Sequence, residues 1–104
     1  MRIAPRVYTR QPDIDRLQAL ACDLPNDEHV RITLVDGRVF TGTVAARPIT
    51  QQFFDPDGAE GTNGTVRIEQ QALDHPEDAR WVDLYLDQIL EVRHIDRSEL
   101  ERRS

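Results

Sequence analysis

The sequence is poor in several residue types that would identify a chemistry. It has no lysine, a single cysteine (Cys22) and only 6% aromatic residues in 104. One cysteine leaves no internal disulfide and no cysteine-based zinc cage. Without lysine there is no phosphate-cradling glycine loop of the usual kind, and Gly58, Gly61 and Gly64 lack a following helix and cation. No apolar run approaches the roughly 18–20 residues that span a bilayer. The opening MRIAPRVYTRQPD has no apolar core of the kind a secretory signal needs. The expectation is one folded, cytoplasmic domain with room for a modest core.

The charge is unevenly spread. All 13 basic residues are arginine, against 19 acidic, for a net of −6. That balance weighs against indiscriminate binding to phosphate backbones, which rests on cationic charge. From Asp55 to Glu91 there are 10 acidic residues against Arg67 and Arg80, whereas His29–Phe54 carries three arginines and only Asp36. One part is therefore mildly basic and the other strongly acidic. The two readings are a mixed, solubilising surface and an acidic face that docks a basic partner.

The most informative stretch is Val30–Val44, VRITLVDGRVFTGTV. Val30, Ile32 and Leu34 alternate with Arg31, Thr33 and Val35, the period of a half-buried strand. Asp36-Gly37 suits a tight hairpin turn, and the β-branched run Val39–Val44 returns as a second strand. Gly42 within that strand signals a bend or a close backbone approach. Before the hairpin, residues 13–23 read as a short helix with an apolar stripe of Ile14, Leu17, Leu20 or Ala21, and Leu24. Pro12 and the early aspartates suit its N-terminal end. Cys22, at the stripe's edge, reads as a small buried apolar side chain rather than a reactive thiol.

After the hairpin, residues 49–64 read as one long loop, ITQQFFDPDGAEGTNG, with two groups of turn residues. Phe53 and Phe54 inside it either fill the core or stand out for stacking a base or docking a partner. Three further strands are expected near 65–70, 81–86 and 89–95. Val66 and Ile68 point inward in the first. In the second, Val82, Leu84 and Leu86 share one face, with Trp81 and Tyr85 on the other. Residues 1–12 and 96–104 read as tails; Tyr8 either pins the first or does nothing. His29, His75 and His94 stand apart, Asp55, Asp57 and Glu60 lack calcium-loop spacing, and no nucleophile–base arrangement is visible. No metal, cofactor or catalytic group is therefore assigned, and the chain is read as a non-enzyme.

A helix followed by five short strands, with the pattern V-x-I-x-L-x-D-G-x-x-F-x-G-x-V at Val30–Val44, resembles the first motif of Sm-like proteins. Leu84-Tyr85-Leu86-Asp87-Gln88-Ile89-Leu90-Glu91-Val92 is similar to the strand–turn–strand closure of the same barrels. The resemblance implies a mainly β fold with one N-terminal helix: a five-stranded, strongly bent antiparallel Sm-like (SH3-like) barrel over residues 13–95. The chain also resembles an uncharacterised bacterial Sm-like family. RNA-binding relatives carry an Asp-x-x-x-Asn segment after the glycine, and an Arg-Gly or Lys-His pair in the last turn. Here Arg47-Pro48-Ile49-Thr50-Gln51 and Asp87-Gln88 stand instead. A narrower resemblance, through Leu17-x-Ala19-Leu20-Ala21-Cys22, the Asp36-Gly37 hairpin, Leu84-x-Leu86-Asp87-x-Ile89 and His94, is to the Rho-binding termination inhibitors (the Rof or YaeO family), small acidic Sm-like proteins with an N-terminal helix that bind the Rho factor through an acidic surface.

Three functions follow as alternatives. The favoured one is a regulatory adaptor in RNA metabolism or transcription whose acidic face, Glu69, Asp74, Glu77, Asp78 and Asp83, holds a basic, RNA-associated protein. The second is direct RNA binding, with Arg31, Arg38 and Arg47 on phosphates and Phe53 or Phe54 stacking. The third is a homo-oligomeric structural module joined at Trp81 and Tyr85.

Overall fold

The computed structural model describes residues 2–70 and 80–96. The elements are α1 (Gln11–Cys22), β1 (His29–Leu34), β2 (Val39–Ala46), β3 (Thr50–Phe54), β4 (Glu60–Gln70), β5 (Arg80–Tyr85), a 3-10 turn (Leu86–Gln88) and β6 (Ile89–His94). All strand pairs are antiparallel: β4 pairs with β3, β2 and β5, β2 with β1, and β1 with β6. Helix and strands thus follow the mainly β, strongly bent Sm-like plan, with a sixth strand added.

The β1–β2 hairpin forms as its sequence dictates. Val30, Ile32 and Leu34 are buried while the residues between them face outward. Gly37 takes φ +91° and its N–H closes the turn on the Leu34 carbonyl, a type I turn with glycine in the left-handed position. A Cβ on Gly42 would run into the Glu69 carbonyl oxygen, so the close approach expected there is to β4, which pairs with β2 at the adjacent Thr43.

α1 begins two residues earlier than expected, with Pro12 in its first turn, where a missing N–H costs nothing. Leu17, Ala21 and the following Leu24 are buried in one cluster with Val30, Ile32, Leu34, Val44, Val66, Ile68, Leu84, Leu86 and Ile89. Each such aliphatic side chain contributes about 1.5–3 kcal/mol when fully buried. Cys22, by contrast, faces solvent, because the helix turns its Leu17–Ala21 edge to the core and Cys22 falls beyond it.

Residues 49–64 are not a loop. Thr50–Phe54 pairs residue by residue with Glu60–Gly64, making a second hairpin. Its turn is the first group of turn residues. Asp55 Oδ1 accepts the N–H groups of Asp57 and Ala59 (2.9 and 2.8 Å), and Gly58 takes φ +88°. The second group, Gly61-Thr62-Asn63-Gly64, lies within β4. Glycine is needed there for proximity: Cβ atoms would meet Val7 and the Tyr8 carbonyl at Gly61, and Leu86 and the Ile49 carbonyl at Gly64, all at 2.7–2.9 Å. β4 is thereby a single 11-residue strand. It carries β3 and then β2 along one edge, and β5 along the other.

The N-terminal segment is not a tail either. It reaches both edges of the second hairpin, through a parallel bridge of Ile3 to Phe54 and an antiparallel bridge of Tyr8 to Thr62. Ala4 is the segment's own buried side chain. Tyr8 therefore pins the segment. Among the described residues, no helix is long and apolar enough to cross a membrane.

Candidate protein-docking face

The inward sides of β4 and β5 feed the core through Val66, Ile68 and Leu84, so alternation places Thr65, Arg67 and Glu69 outward beside Tyr85, Asp83 and Trp81 in register. This outer face holds two of the five acidic residues named from the sequence. Asp83 is engaged by Arg67 in a two-pronged ion pair, Nε to Oδ1 at 2.9 Å and a terminal guanidinium nitrogen to Oδ2 at 3.1 Å. Both side chains remain about half exposed, so the pair sets the face's shape more than its stability. Glu69 lies opposite Trp81. Asp74, Glu77 and Asp78 lie outside the described residues.

The two aromatics of this face have separate roles. Trp81 is 61% exposed. Tyr85 is half-buried: its ring meets Phe53 edge to face at 6.4 Å, and its hydroxyl donates to the Ile3 carbonyl at 3.3 Å. A seam needing both is therefore reduced to Trp81. Beside Tyr85 the surface deepens into an open groove of about 550 Å³, bounded by Arg47, Ile49, Gln51, Arg67, Asp83 and Tyr85.

The arginine and phenylalanine candidates do not assemble. Arg38 sits at the β1–β2 turn, held by Asp36 at 2.8 Å and lying 5.8 Å over the Phe40 ring. Arg47 lies beyond the other end of β2, a strand of eight residues, or roughly 26 Å. Its backbone N–H is held by Asn26. Arg31 is in mid-β1 opposite Arg93, with its Nε buried and unpaired in the described structure. Phe53 is buried and Phe54 half-buried, so Phe53 offers no surface for stacking; alternation turned it onto Tyr85.

The 3-10 turn holds a polar node that sequence reasoning missed. Asp87 accepts hydrogen bonds from the Tyr8 hydroxyl at 3.0 Å and from Asn63 Nδ2 at 3.1 Å. Asn63, fully buried, also donates to the Arg6 carbonyl at 2.9 Å and accepts the Gly64 N–H at 2.8 Å. Burial first, and the Asp87 charge second, push the Tyr8 phenol above its ordinary pKa, so it stays a donor. The resemblance puts an RNA-contacting pair at this turn; here the turn is occupied by the chain's own side chains. The one available signal was Tyr8, an isolated aromatic in a polar stretch. Asn63-Gly64 pointed the wrong way because asparagine-glycine also marks turns.

No three His, Cys, Asp or Glu side chains converge as a metal site among the described residues. His94 links elements instead. Its Nε2 lies 3.0 Å from Asp23, at the end of α1, and its Nδ1 3.6 Å from Glu28.

The fold is that of an Sm-like domain. A crystal structure of XC5848 from Xanthomonas campestris, described as adopting a novel variant of the Sm-like motif, is similar to it, with a TM-score of 0.78 and 38% identity over 91% of this chain and 98% of that one. The chain belongs to the family described as "Domain of unknown function (DUF3247)", which it matches over residues 1–95. Among curated proteins there is no significant match. The narrower likeness to the Rho-binding inhibitors finds no support in these comparisons.

Proposed function

We propose that this chain is a non-catalytic binding module that engages a protein partner through the outer face of β4 and β5. The observation that carries this reading is Trp81. It is a large aromatic, 61% exposed, beside Glu69 and next to the Arg67–Asp83 pair. Exposed tryptophans ringed by polar groups are over-represented among the residues that dominate protein association. The acidic excess of Asp55–Glu91 favours a basic partner. On this reading the module is a cytoplasmic regulatory adaptor, with its partner drawn from RNA metabolism or transcription. RNA itself is the weaker ligand, since Arg38 and Arg47 stand at opposite ends of β2 and Phe53 is buried.

The test is affinity capture from a bacterial lysate treated with nuclease, using wild type, Trp81→Ala and Glu69→Arg. The reading expects a basic protein retained by wild type and lost by both variants. Retention by all three, or capture abolished by nuclease, contradicts it. A second reading, self-association, rests on a separate observation: among the described residues β5 pairs only with β4, and β6 only with β1. Sedimentation at high concentration checks it, and a monomer counts against it.

A further inference from the structure

The segment Arg2–Tyr8 is attached in the way a bound peptide is attached. Ala4 is its one buried side chain, and Ile3 is 59% exposed. Tyr8 also packs at the margin of the core and Val7 lies against Gly61, but most of what holds the segment is main chain. The Ala4 N–H donates to the Phe54 carbonyl at 3.0 Å and the Arg2 carbonyl accepts the Phe54 N–H at 2.8 Å. Tyr8 exchanges both of its backbone groups with Thr62, at 2.9 and 2.7 Å. The carbonyls of Ile3 and Arg6 accept from Tyr85 and Asn63, and the Tyr8 hydroxyl reaches Asp87.

These contacts recognise an extended backbone and one phenol, which is how sheet edges bind peptides in trans. The charge agrees. The segment carries Arg2 and Arg6 and no acid, while the hairpin it spans carries Asp55, Asp57 and Glu60 at its turn. An element with so little buried apolar surface opens at a lower free energy than the core.

We infer that Arg2–Tyr8 is a displaceable strap occupying a peptide site, and that a basic, extended segment of the partner takes its place against Phe54, Thr62 and Asp87. This rests on the protein-partner reading and deepens it. The strap adjoins the docking face through the Tyr85–Ile3 hydrogen bond, so one partner can span both. While the strap is closed, it lowers the apparent affinity by the fraction of time the site is open.

Two measurements on the full-length chain test this without needing the partner. The first is native-state amide exchange. The Ala4 and Tyr8 amides are expected to exchange at least about tenfold faster than those of Ile32 and Val44. Exchange at the core's rate overturns the inference. The second is binding of a labelled synthetic peptide, RIAPRVYTR, to wild type and to Tyr8→Ala. The peptide should bind the variant about tenfold more tightly, because the variant's own strap competes less well. Equal binding to both, or binding to neither, overturns it. Failure of the Trp81 reading would appear in the capture experiment and leave these two results unchanged.

Discussion

The two hairpins of this domain have similar lengths of chain and opposite means of support. β1–β2 is held from inside, with Val30, Ile32, Leu34 and Val44 all fully or nearly fully buried. β4 of the second hairpin joins the core through Val66 and Ile68 beyond β3, but the half next to the turn is held at its edges and ends. That half contributes Phe53 to a contact with Tyr85, and otherwise relies on Gly61, Gly64, Asn63 and the strap. The first hairpin supplies stability. The second supplies an edge, a groove and a polar node, which are the features a binding module uses.

Substitutions should separate the two regions by size of effect. Ile32→Ala removes a fully buried side chain from the centre of the core and should cost about 2–5 kcal/mol, read by denaturant unfolding. A loss below about 1 kcal/mol would mean that the first hairpin is not the main support. Asn63→Ala strips partners from the Arg6 carbonyl and the Gly64 N–H, and should cost about 1–3 kcal/mol. Unlike Ile32→Ala, it should also speed amide exchange of Ala4 and Tyr8 selectively. Tyr8→Phe deletes a single hydrogen bond to Asp87 and should cost about 0.5–1.5 kcal/mol, seen mainly as faster proteolysis before Gln11. No change in that cleavage would place the strap's anchoring elsewhere.

The contrast also explains what could be read from the chain. In Val30–Val44 the local preferences agree with the burial pattern at all but the exposed Val35 and Val39, so alternation, turn and bend were legible. Thr50–Phe54 was not, since TQQFF has no clean alternation and the half of β4 that it pairs with carries Gly61 and Gly64. Glycine serves both turns and close backbone approach, and only the position of Val7, Tyr8 and Leu86 decides which. The docking face was half legible. Trp81 and Tyr85 were correctly placed on one outer side, but the covering of Tyr85 by Phe53 and Ile3 depends on contacts 32 and 82 residues apart in sequence. The arginine patch failed for a related reason, since closeness in sequence placed Arg38 and Arg47 at opposite ends of one strand.

The smallest expected effect concerns pH. His94 lies between Asp23 and Glu28, and its hydrogen bond to Asp23 is the leading cause of a pKa raised above the ordinary 6.5. A group whose folded pKa is raised stabilises fully below its unfolded value, and that contribution fades as pH rises through the folded value. His94→Gln should therefore narrow the difference in melting temperature between pH 5.5 and pH 8.5. The pair is exposed, so the change should stay within about 1 kcal/mol. An unchanged difference would show that the link between α1 and β6 does not depend on the imidazolium.

The protein-partner reading is tested most directly by photo-crosslinking in cells, with a photoreactive amino acid at position 81 and, as a control, at the exposed Val39 on β2. The account predicts a discrete protein adduct from position 81 that survives nuclease and is absent from position 39. Adducts to RNA alone, or the same products from both positions, would contradict it.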